Sequence, residues 1–198
     1  MTHWSDLLPP DACTSAVEWA RSQPDYATAW AKCPRGDWLL WLVGKIDGGK
    51  PFSARRKPIV RAAARCATLA LPYVQDDDIV AVCLSTIQMC IAWAEGEATD
   101  EETQEAAYAA YAAYAAYAAD AYAAYAADAA VAAVASAAAA AYVSATAATA
   151  AASYASAATR ARILAQCADL VRAECARPRL AGPPKPACRA AVRHSPAT

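Results

Sequence analysis

The sequence predicts an all-α protein in which a compact helical cluster precedes a long alanine-rich helical hairpin. No window alternates apolar and polar residues between hairpin turns, as a half-buried strand would. The stretch 99–177 contains neither glycine nor proline, and about half of it is alanine, the residue with the highest helix propensity. We therefore expect an N-terminal cluster over 1–98, an alanine-rich segment over 99–177, and a disordered tail rich in Pro, Ala and Arg over 178–198.

Proline and capping residues predict the first two helices. We expect one helix from Pro9-Pro10-Asp11 to about Gln23, because Pro24 stops it. Asp25 is expected to cap a short second helix that runs to Cys33.

The third helix is the most hydrophobic of the chain. Asp37 is expected to cap it, and Gly48-Gly49 to end it. Because it is apolar most of the way round, we expect it to be the central helix of the cluster. This interpretation predicts that Trp38, Trp41 and Leu42 are core residues.

Two further helices are delimited by proline, aspartate and glycine. Pro58 can begin one, after the basic run 55–57, and Pro72 can end it. The run Asp76-Asp77-Asp78 can open the next, which Gly96 closes. The apolar positions expected in the first of these helices are Ile59, Val60, Ala63, Cys66, Ala67 and Leu71.

The alanine-rich segment begins at a predicted capping box, in which Thr99 and Glu102 each satisfy the other's backbone N–H. A hairpin buries more surface than one unbroken helix, which would be about 115 Å long. We expect the turn between Asp128 and Ser144, although neither glycine nor proline marks it; a single long helix is the alternative. The residues expected to return apolar surface to the cluster are Ile163, Leu164, Cys167, Leu170 and Val171.

Tyrosines recur through the first half of this segment. They enter in steps of three, and a step of three turns back by about 60° on a helix, so they fan over about half the circumference. Tyrosine supplies rigid contact area together with a hydroxyl, a combination typical of interaction surfaces. One alternative is that the tyrosine rings cover alanine side chains within the chain itself. Another is that the repeat expanded by replication slippage and is tolerated without a function. The candidate partner-binding residues are Tyr108, Tyr111, Tyr114, Tyr117, Tyr122 and Tyr125.

Composition predicts reduced thiols and a cytoplasmic setting. The 198 residues carry a net charge of −1, which gives no general attraction to nucleic acid or to an acidic membrane. The eight cysteines form no CxxC pair, and several occupy apolar helix positions, where a free Cys behaves as a small hydrophobe. The N-terminus has no signal-peptide pattern, and Asp120 and Asp128 argue against a membrane span in the alanine-rich segment.

Catalytic and metal-binding patterns are not found in the sequence. There is no Ser/His/Asp set and no Gly-rich phosphate loop, and the only two histidines lie near the chain ends, so we expect no enzyme, no cofactor and no metal site. Three short polar patterns have simpler explanations. Asp37-Trp38 is expected to be a cap beside a core aromatic, 76–78 an acidic first turn, and 55–57 a solvated basic edge.

One segment resembles a known group of sequences. Trp30-x2-Cys33-x-Arg35-x-Asp37-Trp38-Leu39-Leu40-Trp41-Leu42 is similar to a signature of uncharacterised bacterial and phage proteins with a C-terminal tract of Ala with Tyr or Asp. The segments 66–72, 92–96 and 167–172 resemble later parts of the same pattern. The Pro/Asp-rich turn, the Ala-Trp-x-x-Gly helix end and the alanine-rich helix also resemble immunity proteins of polymorphic toxin systems. Neither resemblance implies a role for a particular residue.

These observations favour a non-enzymatic protein-interaction module, immunity-like or a phage accessory protein, that acts by occluding a protein partner. The alternative is a structural spacer or a helical protein that associates with itself along its alanine face. Ice binding is a remote alternative, because Thr146, Thr149 and Thr159 do not keep the roughly eleven-residue repeat that a flat helical face requires.

Overall fold

The computed structural model describes residues 3–47, 49–50, 52–73, 77–117 and 157–180. Within these ranges the chain is helical and has no strand, which confirms the all-α prediction. Short 3-10 helices cover Trp4–Leu7, Ala54–Arg56 and Leu71–Tyr73. The α-helices are α1 (Thr14–Arg21), α2 (Tyr26–Lys32), α3 (Gly36–Asp47), α4 (Lys57–Ala70), α5 (Asp77–Glu95), α6 (Asp100–Tyr117) and α7 (Ala157–Glu174).

Helix α4, not α3, is the centre of the core. It packs against α3, α5 and α7. Its residues Val60, Ala62 and Ala63 have no exposed surface, because their small side chains let three helices approach α4 closely. The prediction that α3 is the central helix was therefore wrong, although α3 buries one of its faces.

The core residues predicted on α3 are only partly correct. Leu42 is buried, as predicted, together with Leu39, Leu40 and Val43. Trp38 is only half-buried and packs against the edge of the core, and Trp41 is half-exposed below the ammonium group of Lys45. An indole is often too large to be enclosed completely in a small helical cluster, which explains the difference.

Two predicted helix starts also differ from the structure. The first α-helix begins at Thr14 rather than at Pro9-Pro10-Asp11, although its end at Arg21 is close to the predicted one. Asp37 does not precede α3 as a cap but lies inside its first turn, where it pairs with Arg35. The cap predicted at Asp25 is confirmed, since its carboxylate accepts from the backbone N–H of Thr28 at 2.7 Å.

Helices α5 and α6 form a tight helical hairpin. Gly96, with φ of +89°, ends α5 as predicted, because a left-handed residue at this point favours glycine. The capping box at Thr99 is confirmed: the Thr99 N–H donates to Glu102 at 2.8 Å, and the Glu102 N–H donates to the Thr99 hydroxyl at 3.2 Å. The direction of α6 is thus set within its first turn.

Helix α7 returns the chain to the cluster. Ile163, Cys167 and Val171 are buried against the core, as predicted, with α7 packed on α3 and α4. Arg61 contacts Glu174, at the end of α7. It also contacts the carbonyl oxygen of Ala94, in the last turn of α5 and a few residues before α6 begins. A continuous helix from Asp100 to Glu174 would separate these ends by about 110 Å, so the single-helix alternative is wrong. The predicted turn and the predicted seam between the two arms lie outside the described residues.

The first residue of the predicted disordered tail is packed against the cluster. Pro178 is fully buried, and its carbonyl oxygen accepts the hydroxyl of Tyr26 at 2.9 Å. The guanidinium of Arg177 lies 5.4 Å from the centre of the same ring. Pro178 therefore belongs to the packed cluster, whereas Arg179 is exposed; residues 181–198 lie outside the described residues.

Candidate interaction surface

The tyrosine set begins on the exposed side of α6. Tyr108 is 45% exposed. Among the described residues, it is one of two large hydrophobic side chains that are exposed to solvent. Its hydroxyl accepts from Gln104 at 3.3 Å. Tyr111, Tyr114 and Tyr117 belong to the same helix. Tyr122 and Tyr125 lie outside the described residues.

Tyr108 shares its face of α6 with two carboxylates. Glu101, Glu105 and Tyr108 are spaced by four and then three residues, so they lie above one another on the helix. All three are exposed. Thr103 and Ala107 lie on another face and pack against the cluster, Thr103 being almost fully buried. Helix α6 is therefore amphipathic where it begins, with an acidic, tyrosine-bearing face toward solvent.

The start of α6 is held firmly by the cluster. The indole N–H of Trp93 donates to a carboxylate oxygen of Asp100 at 2.6 Å. The Trp93 ring is buried between Phe52, which meets it edge-on at 5.7 Å, and the ammonium of Lys57 at 5.6 Å. Phe52 adopts a φ of +55°, a strained conformation for a bulky residue. The acidic face of α6 is thus attached to the core through a buried aromatic side chain.

Sequence reasoning missed a second aromatic surface, at the start of α3. The Arg35 guanidinium lies 4.5 Å above the Trp38 ring and binds Asp37 through two hydrogen bonds. Trp19 on α1 packs against Trp38 with ring centres 6.1 Å apart. The pairing with Asp37 raises the pKa of Arg35. The spacing of Arg35, Asp37 and Trp38 was visible in the sequence, but the contact with Trp19 was not.

The short basic run has intramolecular partners. Arg56 donates to the carbonyl oxygens of Gly49 and Lys50, both at 3.1 Å, and so closes the loop before α4. Lys57 lies over the ring of Trp93. Arg55 is the exposed member of the run. The expected solvated edge is therefore found at Arg55, whereas Arg56 and Lys57 are half-buried. In the acidic run, Asp77 begins α5, and Asp76 lies outside the described residues.

Most of the described cysteines are buried thiols. Cys33, Cys66, Cys90, Cys167 and Cys175 belong to the core, Cys83 is half-buried and Cys13 is exposed; none of these seven forms a disulfide. Burial raises the pKa of Cys90 to about 11 and that of Cys175 to about 12. These two thiols are therefore protonated near neutral pH.

The described residues form no cluster of three or more His, Cys, Asp or Glu side chains that could hold a metal ion. In the same part of the chain, no helix combines the length and apolar character needed to cross a membrane. Comparison with known protein families, with curated proteins and with solved structures gave no match to this chain.

Proposed function

We propose that this protein is a non-enzymatic binding module that contacts a basic surface of a protein partner through the acidic, tyrosine-bearing face of α6. The observation that carries the proposal is the exposure of Tyr108 beside Glu101 and Glu105 on one helical face. An exposed aromatic side chain flanked by carboxylates offers contact area and attraction to a cation at the same place.

The attachment of α6 supports this proposal. The capping box, the hydrogen bond from Trp93 to Asp100 and the packing of Thr103 fix the helix before Tyr108 is reached. A contact surface that is already ordered loses less conformational freedom on binding than a flexible one. Tyr111, Tyr114 and Tyr117 are further proposed contact residues; each step of three turns back by about 60° along the helix, so Tyr111 stays nearest this face and Tyr117 lies farthest from it.

The resemblance to immunity proteins suggests that the partner is a toxin or another phage or bacterial protein that is occluded on binding. We also propose a cytoplasmic setting, because buried thiols that serve as small apolar groups suit a reducing compartment.

Site-specific photo-crosslinking tests the proposal and captures a protein partner of any identity. A photoreactive phenylalanine analogue at position 108 should give a discrete heavier adduct in the cells that produce the protein. The matched control places the same analogue at Glu18, which is exposed on α1, and should give no such adduct. An adduct of the mass of two chains would instead favour self-association, and the absence of any adduct specific to position 108 would overturn the proposal.

Charge reversal then tests the chemistry of the partner. Glu105→Lys should reduce the crosslinking yield at position 108, and Glu18→Lys should leave it unchanged. Because attraction between exposed charges is screened by salt, the yield in a lysate should also fall as salt rises from about 0.05 M to about 0.5 M. If the crosslinking yield at position 108 changes neither with Glu105→Lys nor with salt, the proposal of a basic partner surface is wrong.

A further inference from the structure

Two buried cysteines face each other where the returning helix joins the cluster. Cys66 lies on α4 and Cys167 on α7, and both are almost fully buried. The sulfur of Cys66 donates to the backbone carbonyl oxygen of Cys167 at 3.7 Å. Gly36 of α3 leaves room for the Cys167 side chain, since a Cβ on Gly36 would lie 2.4 Å from that of Cys167. Cys66 is thus in contact with Cys167 at the point where α3, α4 and α7 meet.

We infer that Cys66 and Cys167 form a redox-sensitive pair whose oxidation to a disulfide ties α7 covalently to α4. The bridge would close a loop that contains the alanine-rich segment from Thr99 as far as Cys167. In the reduced protein, α7 is held by packing and by ion pairs; in the oxidised protein it could not separate from the cluster. This inference does not depend on the proposed function.

The chemistry requires a hydroperoxide as oxidant. The Cys167 thiolate attacks one oxygen of hydrogen peroxide, the O–O bond breaks, and the leaving oxygen departs as water after taking up a proton. The Cys66 sulfur then attacks the sulfenic acid on Cys167, the S–O bond breaks, and a second water leaves with the Cys66 proton. Two thiols lose two protons and two electrons, and one peroxide becomes two waters.

The two thiols differ in the way that this order of events requires. A side-chain hydrogen bond between the two thiols lowers the pKa of Cys167, and the same bond together with burial raises the pKa of Cys66. Cys167 is therefore the first nucleophile and Cys66 the resolving thiol. Because both are buried, we expect the reaction to be slower than oxidation of the exposed Cys13.

Peptide mapping of the full-length protein tests the inference directly. Reduced protein is treated with hydrogen peroxide, unreacted thiols are alkylated after denaturation, and the digest is analysed by mass spectrometry. Chymotrypsin is needed besides trypsin, since no Lys or Arg lies between Arg65 and Arg160. The expected product joins the peptide that begins at Cys66 to the peptide 163–172, and a thiol reductant should separate them.

Stability supplies a second readout. A bridge that closes a loop of this length should raise the Tm by about 5–15 °C. Cys66→Ala and Cys167→Ala should abolish both the bridge and the rise. Cys90→Ala, an equally buried thiol on α5, should preserve both. Oxidised Cys13 together with free Cys66 and Cys167 in the wild-type protein would overturn the inference, as would a bridge from Cys66 to Cys175. The wild-type map decides even if a variant fails to fold.

Discussion

Replacing Gly36 with alanine tests a close approach between α3 and α7. Gly36 is the first residue of α3 and is buried against α7. A Cβ at this position would lie 2.4 Å from the Cβ of Cys167 and 2.6 Å from both the carbonyl carbon of Cys167 and the backbone nitrogen of Ala168. Two of these three atoms are backbone, so no change of rotamer can relieve the overlap, and α3 and α7 must move apart.

The expected cost of Gly36→Ala is about 3 kcal/mol or more in the free energy of unfolding, at the upper end of the range for overpacked cores. Gly44→Ala is the matched control on the same helix. A Cβ on Gly44 would meet nothing within 4 Å, so this variant should gain about 0.5–1 kcal/mol from helix propensity alone. The two identical substitutions should therefore shift stability in opposite directions.

Urea unfolding followed by tryptophan fluorescence measures both variants. All six tryptophans precede residue 99, so the signal reports the cluster into which α7 packs. If Gly36→Ala unfolds at the same urea concentration as the wild type, or at a higher one like Gly44→Ala, the close packing of α3 on α7 is wrong.

Three further predictions follow from burial and charge. Leu39→Ala should cost about 2–5 kcal/mol and Trp41→Ala only about 1 kcal/mol, because Leu39 is enclosed and Trp41 is half-exposed; equal effects in urea unfolding would contradict this. Glu174→Gln should cost about 1–3 kcal/mol by urea unfolding, since that carboxylate is only 13% exposed and binds two arginines; a neutral effect would mean that the ion pairs do not form. The Thr99 N–H and hydroxyl lower the pKa of Glu102, so its stabilising effect is present above the ordinary carboxyl pKa and is lost as pH falls through the lowered one. Glu102→Gln should therefore reduce the Tm at about pH 7 and approach the wild type at about pH 3, and a pH-independent difference would refute this.

Local signals in the sequence predicted the ends of helices well. Pro58 lies at the start of α4, Gly96 follows the end of α5, and the capping box at Thr99 forms as expected, because each of these effects acts within one helical turn. The returning apolar stripe through Ile163 and Cys167 was also predictable, since helical periodicity alone defines a buried face.

The arrangement of the helices was less predictable, because it depends on residues far apart in the chain. Hydrophobicity marked α3 as central, but alanine-rich α4 is surrounded because small side chains let its neighbours come close. No local pattern shows that Gly36 leaves room for the side chain of Cys167. Arg61 and Glu174 are separated by 113 positions, and no local pattern connects them.

The same distant contacts bear on the proposed site. Tyr108 alone would be an ordinary exposed side chain in an alanine-rich helix. One end of its helix is fixed by the hydrogen bond from the Trp93 indole to Asp100. The chain returns to the same region, where Arg61 contacts both Ala94 and Glu174. Both ends of the alanine-rich segment are therefore attached to one core, which orders the acidic face of α6 before any partner arrives. Binding through that face should then depend on the integrity of the cluster, and variants that loosen the cluster should weaken crosslinking at position 108 although they touch no part of the surface.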